Sequence, residues 1–156
     1  MKTLLVLRHA HAAGGSSYTS DDERPLSPQG QADAARVGRR LAQAEPPPVM
    51  ILSSAALRAH QTAMAVQDAL HEADLRLAPE LYGADPAVWV HKLQELPRDL
   101  ETVLIVGHNP DLELLVQGLT GRAAGFSPAT LARLELPLDD WRDLKSNGSG
   151  HLVEIH

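Results

Sequence analysis

The first ten residues of the chain, Met1 to Ala10, read MKTLLVLRHA, and their pattern predicts both a strand and a site. The run from Leu4 to Leu7 is apolar without alternation, which is typical of a short strand buried on both faces of a sheet. The run stops at Arg8 and His9, and open α/β sheets bind ligands at the carboxyl ends of their strands. Arginine offers a planar set of donors for phosphate, and the adjacent imidazole is a candidate nucleophile. The stretch therefore predicts that His9 attacks a phosphoryl group.

The composition is that of an ordinary globular protein. A length of 156 residues suits a single domain spanning residues 1–156. The formal net charge of −6 argues against general nucleic-acid binding, which needs a basic surface. Cysteine is absent, which excludes disulfides and thiolate metal sites. No segment approaches the ~20 apolar residues of a membrane span, and the first apolar run is too short for a signal peptide. We expect a cytoplasmic protein that does not interact with membranes.

Strand and helix signals alternate along the rest of the chain. Residues 11–24 are read as a loop, in which the acidic run 21–23 is a solvated segment or one that orders Arg24. Ser27 and Asp85 are predicted N-caps, each followed by a proline at the first helical position. Helices are predicted at 28–44, 56–73, 86–96 and 110–119, and strands at 49–53, 75–78, 102–107, 131–136 and 151–156. The last two strands alternate apolar and polar residues, as an antiparallel edge would. The predicted fold is an α/β, three-layer α/β/α sandwich with a mostly parallel sheet and an antiparallel edge.

Three of the apolar strands end in polar candidates for chemistry. These are Arg8 with His9, the pair Ser53-Ser54 leading to Arg58, and Gly107 followed by His108. If the strands are parallel, two imidazoles and two guanidiniums meet at one edge of the sheet. Such groups repel one another unless they share an anion, and a phosphoryl group has enough oxygens to occupy all of them.

Four motifs occur in order along almost the whole chain. They are Leu7-Arg8-His9, Arg24-x-Leu26-Ser27-x-x-Gly30, Ser53-x-x-x-Leu57-Arg58-Ala59-x-Gln61-Thr62-Ala63 and Val106-Gly107-His108-Asn109-Pro110. Together they resemble the histidine phosphatase superfamily, which has the phosphoglycerate-mutase-like fold. The short chain is most similar to the SixA-type phosphohistidine phosphatases.

The resemblance implies a role for each matching residue. His9 would be the nucleophile that becomes phosphohistidine, Arg8 and Arg58 would clamp the phosphoryl oxygens, and His108 would bind them and stabilise the transition state. The resemblance implies no metal and no cofactor. It implies a phosphorylated protein or a small phosphorylated molecule as substrate, with a histidine phosphotransfer protein as one candidate partner, and a monomeric enzyme.

Two features depart from the family pattern. Ala10 stands where the family usually has glycine, which puts the geometry of the loop in question. Larger members use a glutamate as general acid, and Glu80 is the nearest candidate, at an approximate spacing. An imidazole with a pKa of ~6.5 leaves with little help from an acid, so a poor acid favours phosphohistidine as the substrate.

Three other functions are compatible with the residues. The chain could be a broad phosphomonoesterase that uses Glu80 as its acid. It could be a non-catalytic phosphate-binding module, in which Ala10 marks a decayed site. A metal site on His9-x-His11 is the weakest alternative, because no acidic ligand accompanies it.

Overall fold

A computed structural model describes residues 1–14, 18 and 20–156, in which strands and helices alternate. The predicted loop over 11–24 is therefore described only in part, since residues 15–17 and 19 lie outside the described residues. Short 3₁₀ turns occur at Asp21–Glu23, Pro79–Leu81 and Trp141–Asp143. The elements are β1 (Lys2–Arg8), α1 (Pro28–Ala42), β2 (Met50–Ser54), α2 (Leu57–Leu70), β3 (Asp74–Ala78), α3 (Pro86–Gln94), β4 (Thr102–Gly107), α4 (Asp111–Thr120), β5 (Leu131–Leu136) and β6 (His151–Ile155).

The six strands form one sheet in the order β3-β2-β4-β1-β5-β6. Strands β3, β2, β4 and β1 are mutually parallel, whereas β5 runs antiparallel to β1 and β6 runs antiparallel to β5. The predicted mostly parallel sheet with an antiparallel edge is therefore confirmed. Its two central strands, β4 and β1, are the ones followed by His108 and His9.

Helices cover both faces of the sheet because the central strands are apolar on both sides. Leu4 and Val6 of β1 pack in a core with α3 and α4, and Leu5 and Leu7 pack in a second core with α1 and α2. Trp89, which is fully buried, anchors α3 in the first core. The three-layer α/β/α arrangement is confirmed.

The predicted caps fix where the helices start. The Ser27 hydroxyl accepts the Gly30 amide at 3.0 Å, and the Asp85 carboxylate accepts the Ala87 amide at 2.9 Å. Helix α1 ends at Ala42, two residues before its predicted end. No helix among the described residues is long and apolar enough to cross a membrane.

Candidate active site

The sheet brings the two candidate histidines to the same edge. Arg8 pairs with Gly107 in the parallel register of β1 and β4, so His9 and His108 leave adjacent strands side by side. The amide of His9 donates to the Gly107 carbonyl at 3.0 Å, and the two imidazole centroids lie 5.1 Å apart. The structure thus places together two side chains separated by almost a hundred residues of sequence.

The two candidate arginines approach these imidazoles from different elements. Arg8 is the last residue of β1, and its Nη1 donates to the Phe126 carbonyl at 2.8 Å. Arg58 is the second residue of α2 and is only 6% exposed. Burial is the main cause that lowers the pKa of His9 and His108, and the positive charges of both guanidiniums act in the same direction. The four predicted residues therefore form one cluster at the carboxyl edge of the sheet.

His9 is held in one tautomer. Its Nδ1 lies 2.8 Å from the Ala10 carbonyl oxygen, which can only accept, so Nδ1 carries the proton. Burial lowers the pKa of His9 to about 4, and the Arg58 and Arg8 guanidiniums act in the same direction. At neutral pH the imidazole is uncharged, and its lone pair is on Nε2. This is the state that a histidine nucleophile requires.

His108 is also buried and neutral. The residue is 6% exposed, and its Nε2 lies 2.8 Å from the Ser54 hydroxyl at the end of β2. Burial lowers the pKa of His108 to about 3, assisted by His9 and the Arg58 guanidinium. The positive charge of the cluster therefore resides on the two arginines.

Three nitrogen atoms of this cluster are buried and have no hydrogen-bond partner among the described residues. They are Nε of Arg8, Nε of Arg58 and Nδ1 of His108. Leaving a buried donor unsatisfied costs about 1–3 kcal/mol, and such a group in a native structure calls for an explanation. A shared anion would supply acceptors for donors of this kind. The unsatisfied atoms thus agree with a phosphoryl site.

Sequence reasoning missed the part that Asp21 plays in the site. Asp21 is more than a solvated loop residue. Its Oδ2 accepts a hydrogen bond from Arg58 Nη2 at 2.9 Å and one from the Tyr82 hydroxyl at 2.6 Å. The expected contact with Arg24 is present, because Arg24 Nε donates to Oδ1 at 2.9 Å. The Tyr82 hydroxyl is the main cause that lowers the pKa of Asp21 to about 2, so the carboxylate stays ionised. The Tyr82 and His108 rings form a T-shaped pair, with their centroids 5.4 Å apart.

Ala10 fits the site without the freedom of glycine. The positive φ angles found at non-glycine residues of the described chain belong to His71 and Ala129. The methyl group of Ala10 is fully buried, and its amide donates to the Thr62 hydroxyl at 3.1 Å. Thr62 in turn donates to the Arg58 carbonyl at 2.8 Å. A hydrogen-bonded chain therefore ties the loop after His9 to the helix that carries Arg58.

Glu80 belongs to a different set of contacts. It is exposed and forms an ion pair with Lys92 of α3. The hydrogen bond from Lys92 lowers the pKa of this carboxyl. A general acid needs the opposite shift, toward neutral pH, so these contacts do not favour Glu80 as a proton donor.

The metal alternative depended on His11. The structure leaves this side chain exposed, with its Nδ1 at 2.7 Å from the Ser27 hydroxyl. Within the described residues, no three or more histidine, aspartate or glutamate side chains are grouped so that they could hold a metal ion.

Comparison with known sequences shows the family to which the chain belongs. The family model of the histidine phosphatase superfamily (branch 1) matches residues 4–99. The chain belongs to this superfamily. An uncharacterized chloroplastic protein of Arabidopsis thaliana is 30% identical over 91% of this chain and 70% of its own length. An uncharacterized protein of Mycobacterium tuberculosis is 33% identical over 96% of this chain and 98% of its own length.

Solved structures place the chain beside the SixA enzymes. The protein histidine phosphatase SixA, solved with tungstate, is 26% identical and superposes with a TM-score of 0.82 over 98% of this chain and 95% of that one. A candidate phosphohistidine phosphatase SixA of Agrobacterium tumefaciens is 26% identical, with a TM-score of 0.84 over 99% and 97% of the two chains. A mycobacterial glucosyl-3-phosphoglycerate phosphatase shares the fold at 16% identity, with a TM-score of 0.68 over 97% of each chain. The fold is phosphoglycerate-mutase-like, and the family and the SixA neighbours support a phosphatase activity.

Proposed function

We propose that this chain is a metal-independent phosphohistidine phosphatase that works through a phosphorylated His9. The observation that carries the proposal is the state of His9, which is neutral, fixed in the Nδ1–H tautomer and flanked by the Arg8 and Arg58 guanidiniums. A neutral imidazole with a free Nε2 is a nucleophile, and two guanidiniums beside it bind its phosphoryl target.

In the first step, His9 Nε2 attacks the phosphorus atom of the substrate. A bond forms between His9 Nε2 and phosphorus while the phosphorus–nitrogen bond of the substrate phosphohistidine breaks. The ring of the substrate phosphohistidine carries a proton on its other nitrogen, so it leaves as a neutral imidazole with the electron pair of that bond and needs no proton donor. Arg8 and Arg58 hold the phosphoryl oxygens, and an arginine so placed can contribute roughly 10³–10⁵ in rate.

In the second step, water hydrolyses the phosphorylated His9. The oxygen of water attacks phosphorus and the bond to Nε2 breaks, with its electron pair returning to His9, which is neutral again. Inorganic phosphate leaves as H2PO4⁻ with both protons of the water. In both steps the proton stays on His9 Nδ1, which donates it in a hydrogen bond to the Ala10 carbonyl, so the same tautomer serves both steps.

The leaving group decides between phosphohistidine and an alkyl phosphate. An alkoxide needs a proton donor, whose loss typically costs 10²–10⁴-fold (about 3–5 kcal/mol). Asp21 has a pKa of about 2, and the pKa of Glu80 is lowered by Lys92, so both carboxyls are ionised at neutral pH. An imidazole leaving group has no such need. A phosphorylated protein, such as a histidine phosphotransfer protein, fits this chemistry as the substrate, and we propose that the enzyme acts as a monomer.

The test is to trap the enzyme intermediate. The protein is mixed with a protein phosphorylated on histidine with ³²P, quenched, and digested for peptide mapping. An acid-labile, base-stable label on His9 is expected, together with loss of turnover in His9→Ala. His11→Ala is the matched control, because this neighbouring histidine is exposed and should leave both label and turnover intact.

Other outcomes select the alternatives. Fast turnover of an alkyl phosphate that disappears in Glu80→Gln would replace the proposal with a phosphomonoesterase. Phosphate binding without turnover of phosphohistidine or of an aryl phosphate would show a non-catalytic binding module.

A further inference from the structure

Ser54 makes a buried contact with His108 that the roles assigned above do not use. The residue is fully buried at the end of β2, and its Oγ lies 2.8 Å from His108 Nε2. The same Oγ accepts the Ala56 amide at 3.2 Å, in the turn that leads to α2. The Ser54 hydroxyl therefore lies between the Ala56 amide, which can only donate, and the His108 imidazole.

Counting the protons settles which group donates. If His108 carried its proton on Nε2, the Ser54 oxygen would receive two N–H groups, and its own hydrogen would lack an acceptor among the described residues. A buried hydroxyl without an acceptor is unfavourable. When the Ser54 hydroxyl donates to Nε2, both atoms of this contact are satisfied, and Nδ1 of His108 is the single atom of the pair left without a partner among the described residues. The single proton of the neutral imidazole is then on Nδ1.

In this tautomer the unsatisfied Nδ1 of His108 is a hydrogen-bond donor. Nδ1 is buried and has no hydrogen-bond partner among the described residues. Carrying a proton, it is a donor that an anion in the cluster can use. Without Ser54, nothing among the described contacts would stop His108 from placing its proton on Nε2 instead.

We propose that Ser54 is a positioning residue that fixes His108 in the Nδ1–H tautomer, so that a neutral His108 donates a hydrogen bond to the phosphoryl group through Nδ1. This inference rests on the proposed phosphatase function for the identity of the acceptor. The tautomer itself belongs to the free protein and is measurable without turnover.

The test combines nitrogen NMR with kinetics. In protein labelled with ¹⁵N-histidine, long-range proton–nitrogen spectra should show His108 protonated at Nδ1. Addition of inorganic phosphate should shift that nitrogen and its proton. In Ser54→Ala the spectra should show Nε2–H in part or entirely, with kcat lowered roughly 10- to 100-fold, as when an orienting partner of a site residue is lost.

Ser53→Ala is the matched control. Ser53 is an equally buried neighbour whose hydroxyl donates to the Ser54 carbonyl at 2.9 Å and makes no hydrogen bond to His108. It should leave the tautomer unchanged, and Ser54→Thr, which keeps the hydroxyl, should restore both the spectrum and kcat.

Two results would overturn the inference. One is a proton on Nε2 in the unsubstituted protein, a measurement that does not depend on whether any variant folds. The other is an Nδ1–H that does not respond to saturating phosphate. If His9 proved not to be phosphorylated while His108 showed the expected tautomer, the proposed function alone would fail.

Discussion

The Asp21 carboxylate is paired with the Arg58 guanidinium, which we propose as a binding group for the phosphoryl oxygens. Both terminal nitrogens of Arg58 donate to Asp21, Nη1 to its carbonyl at 2.8 Å and Nη2 to its carboxylate at 2.9 Å. A phosphate oxygen and this carboxylate prefer the same donors. The free protein therefore already holds an oxygen ligand on Arg58, and an incoming phosphate has to share the guanidinium with it.

We expect Asp21→Asn to bind inorganic phosphate more tightly. The substitution removes a charge that repels phosphate. Because the Asp21 side chain is half exposed and screened by water, such a charge about 4 Å away is worth on the order of 1 kcal/mol, or roughly 5-fold. The measurement is inhibition of aryl-phosphate turnover by phosphate. Asp22→Asn is the control, since Asp22 is exposed and bonds to Ser20. Weaker phosphate binding in Asp21→Asn would show instead that Asp21 mainly orients Arg58.

The charge of His9 is set in part by Arg58. Burial is the largest cause of its pKa of about 4, and Arg58 is the first of the charged causes. We expect the NMR titration of His9 to have its midpoint near pH 4, and Arg58→Gln to move it upward because a repelling charge is lost. Arg76→Gln is the control, because Arg76 lies on the edge strand β3 and pairs with Asp74. A midpoint near that of free imidazole would contradict the neutral nucleophile.

At the scale of elements, the start of α1 supports the loop that follows His9. The Ser27 amide donates to the His11 carbonyl at 3.0 Å, and a methyl group on Gly30 would lie 2.0 Å from that same oxygen. Glycine allows this close approach of backbone to helix. The motif Arg24-x-Leu26-Ser27-x-x-Gly30 thus has a structural reason, because its cap and its glycine both meet His11.

Gly30→Ala should therefore destabilise the protein and weaken catalysis together. The clash is with backbone, which cannot turn aside, so we expect a loss of roughly 1–3 kcal/mol in the free energy of unfolding by urea. The displaced loop should also lower kcat for an aryl phosphate. Gly14→Ala is the control, because a methyl group there meets nothing within 4 Å. Equal stabilities of the two variants would rule out this role for Gly30.

Elements with a strong periodic or apolar pattern could be predicted from the sequence, and contacts made by loops could not. Strands 102–107 and 131–136 and the caps at Ser27 and Asp85 lie where predicted, because their local sequence is enough to specify them. The contact of Asp21 with Tyr82 spans 61 residues and joins two segments without periodicity. The partner of Ser54 likewise depends on β2 lying beside β4, which local sequence does not encode.

At the scale of the whole molecule, an acidic chain carries a locally cationic cluster. The net charge is −6, yet the described cluster contains Arg8 and Arg58 beside two neutral imidazoles. Keeping the imidazoles uncharged limits the repulsion that the fold must withstand before an anion binds. The free energy of unfolding should consequently depend on pH, because the two histidines take up protons more readily in the unfolded chain than in the fold.

We expect the free energy of unfolding to fall as the pH drops from 7 to 5. The pKa values of His9 and His108 are about 4 and about 3 in the folded protein, against 6.5 for an exposed histidine, so the unfolded chain binds more protons in this window. The loss should be about 1–2 kcal/mol for each histidine, since one pKa unit corresponds to about 1.4 kcal/mol. Urea unfolding at pH 7, 6 and 5 measures it. His108→Gln should reduce the slope by about half, because one of the two buried imidazoles is then gone. Parallel slopes in the two proteins, or a stability that is flat across the window, would mean that His108 is charged in the folded state.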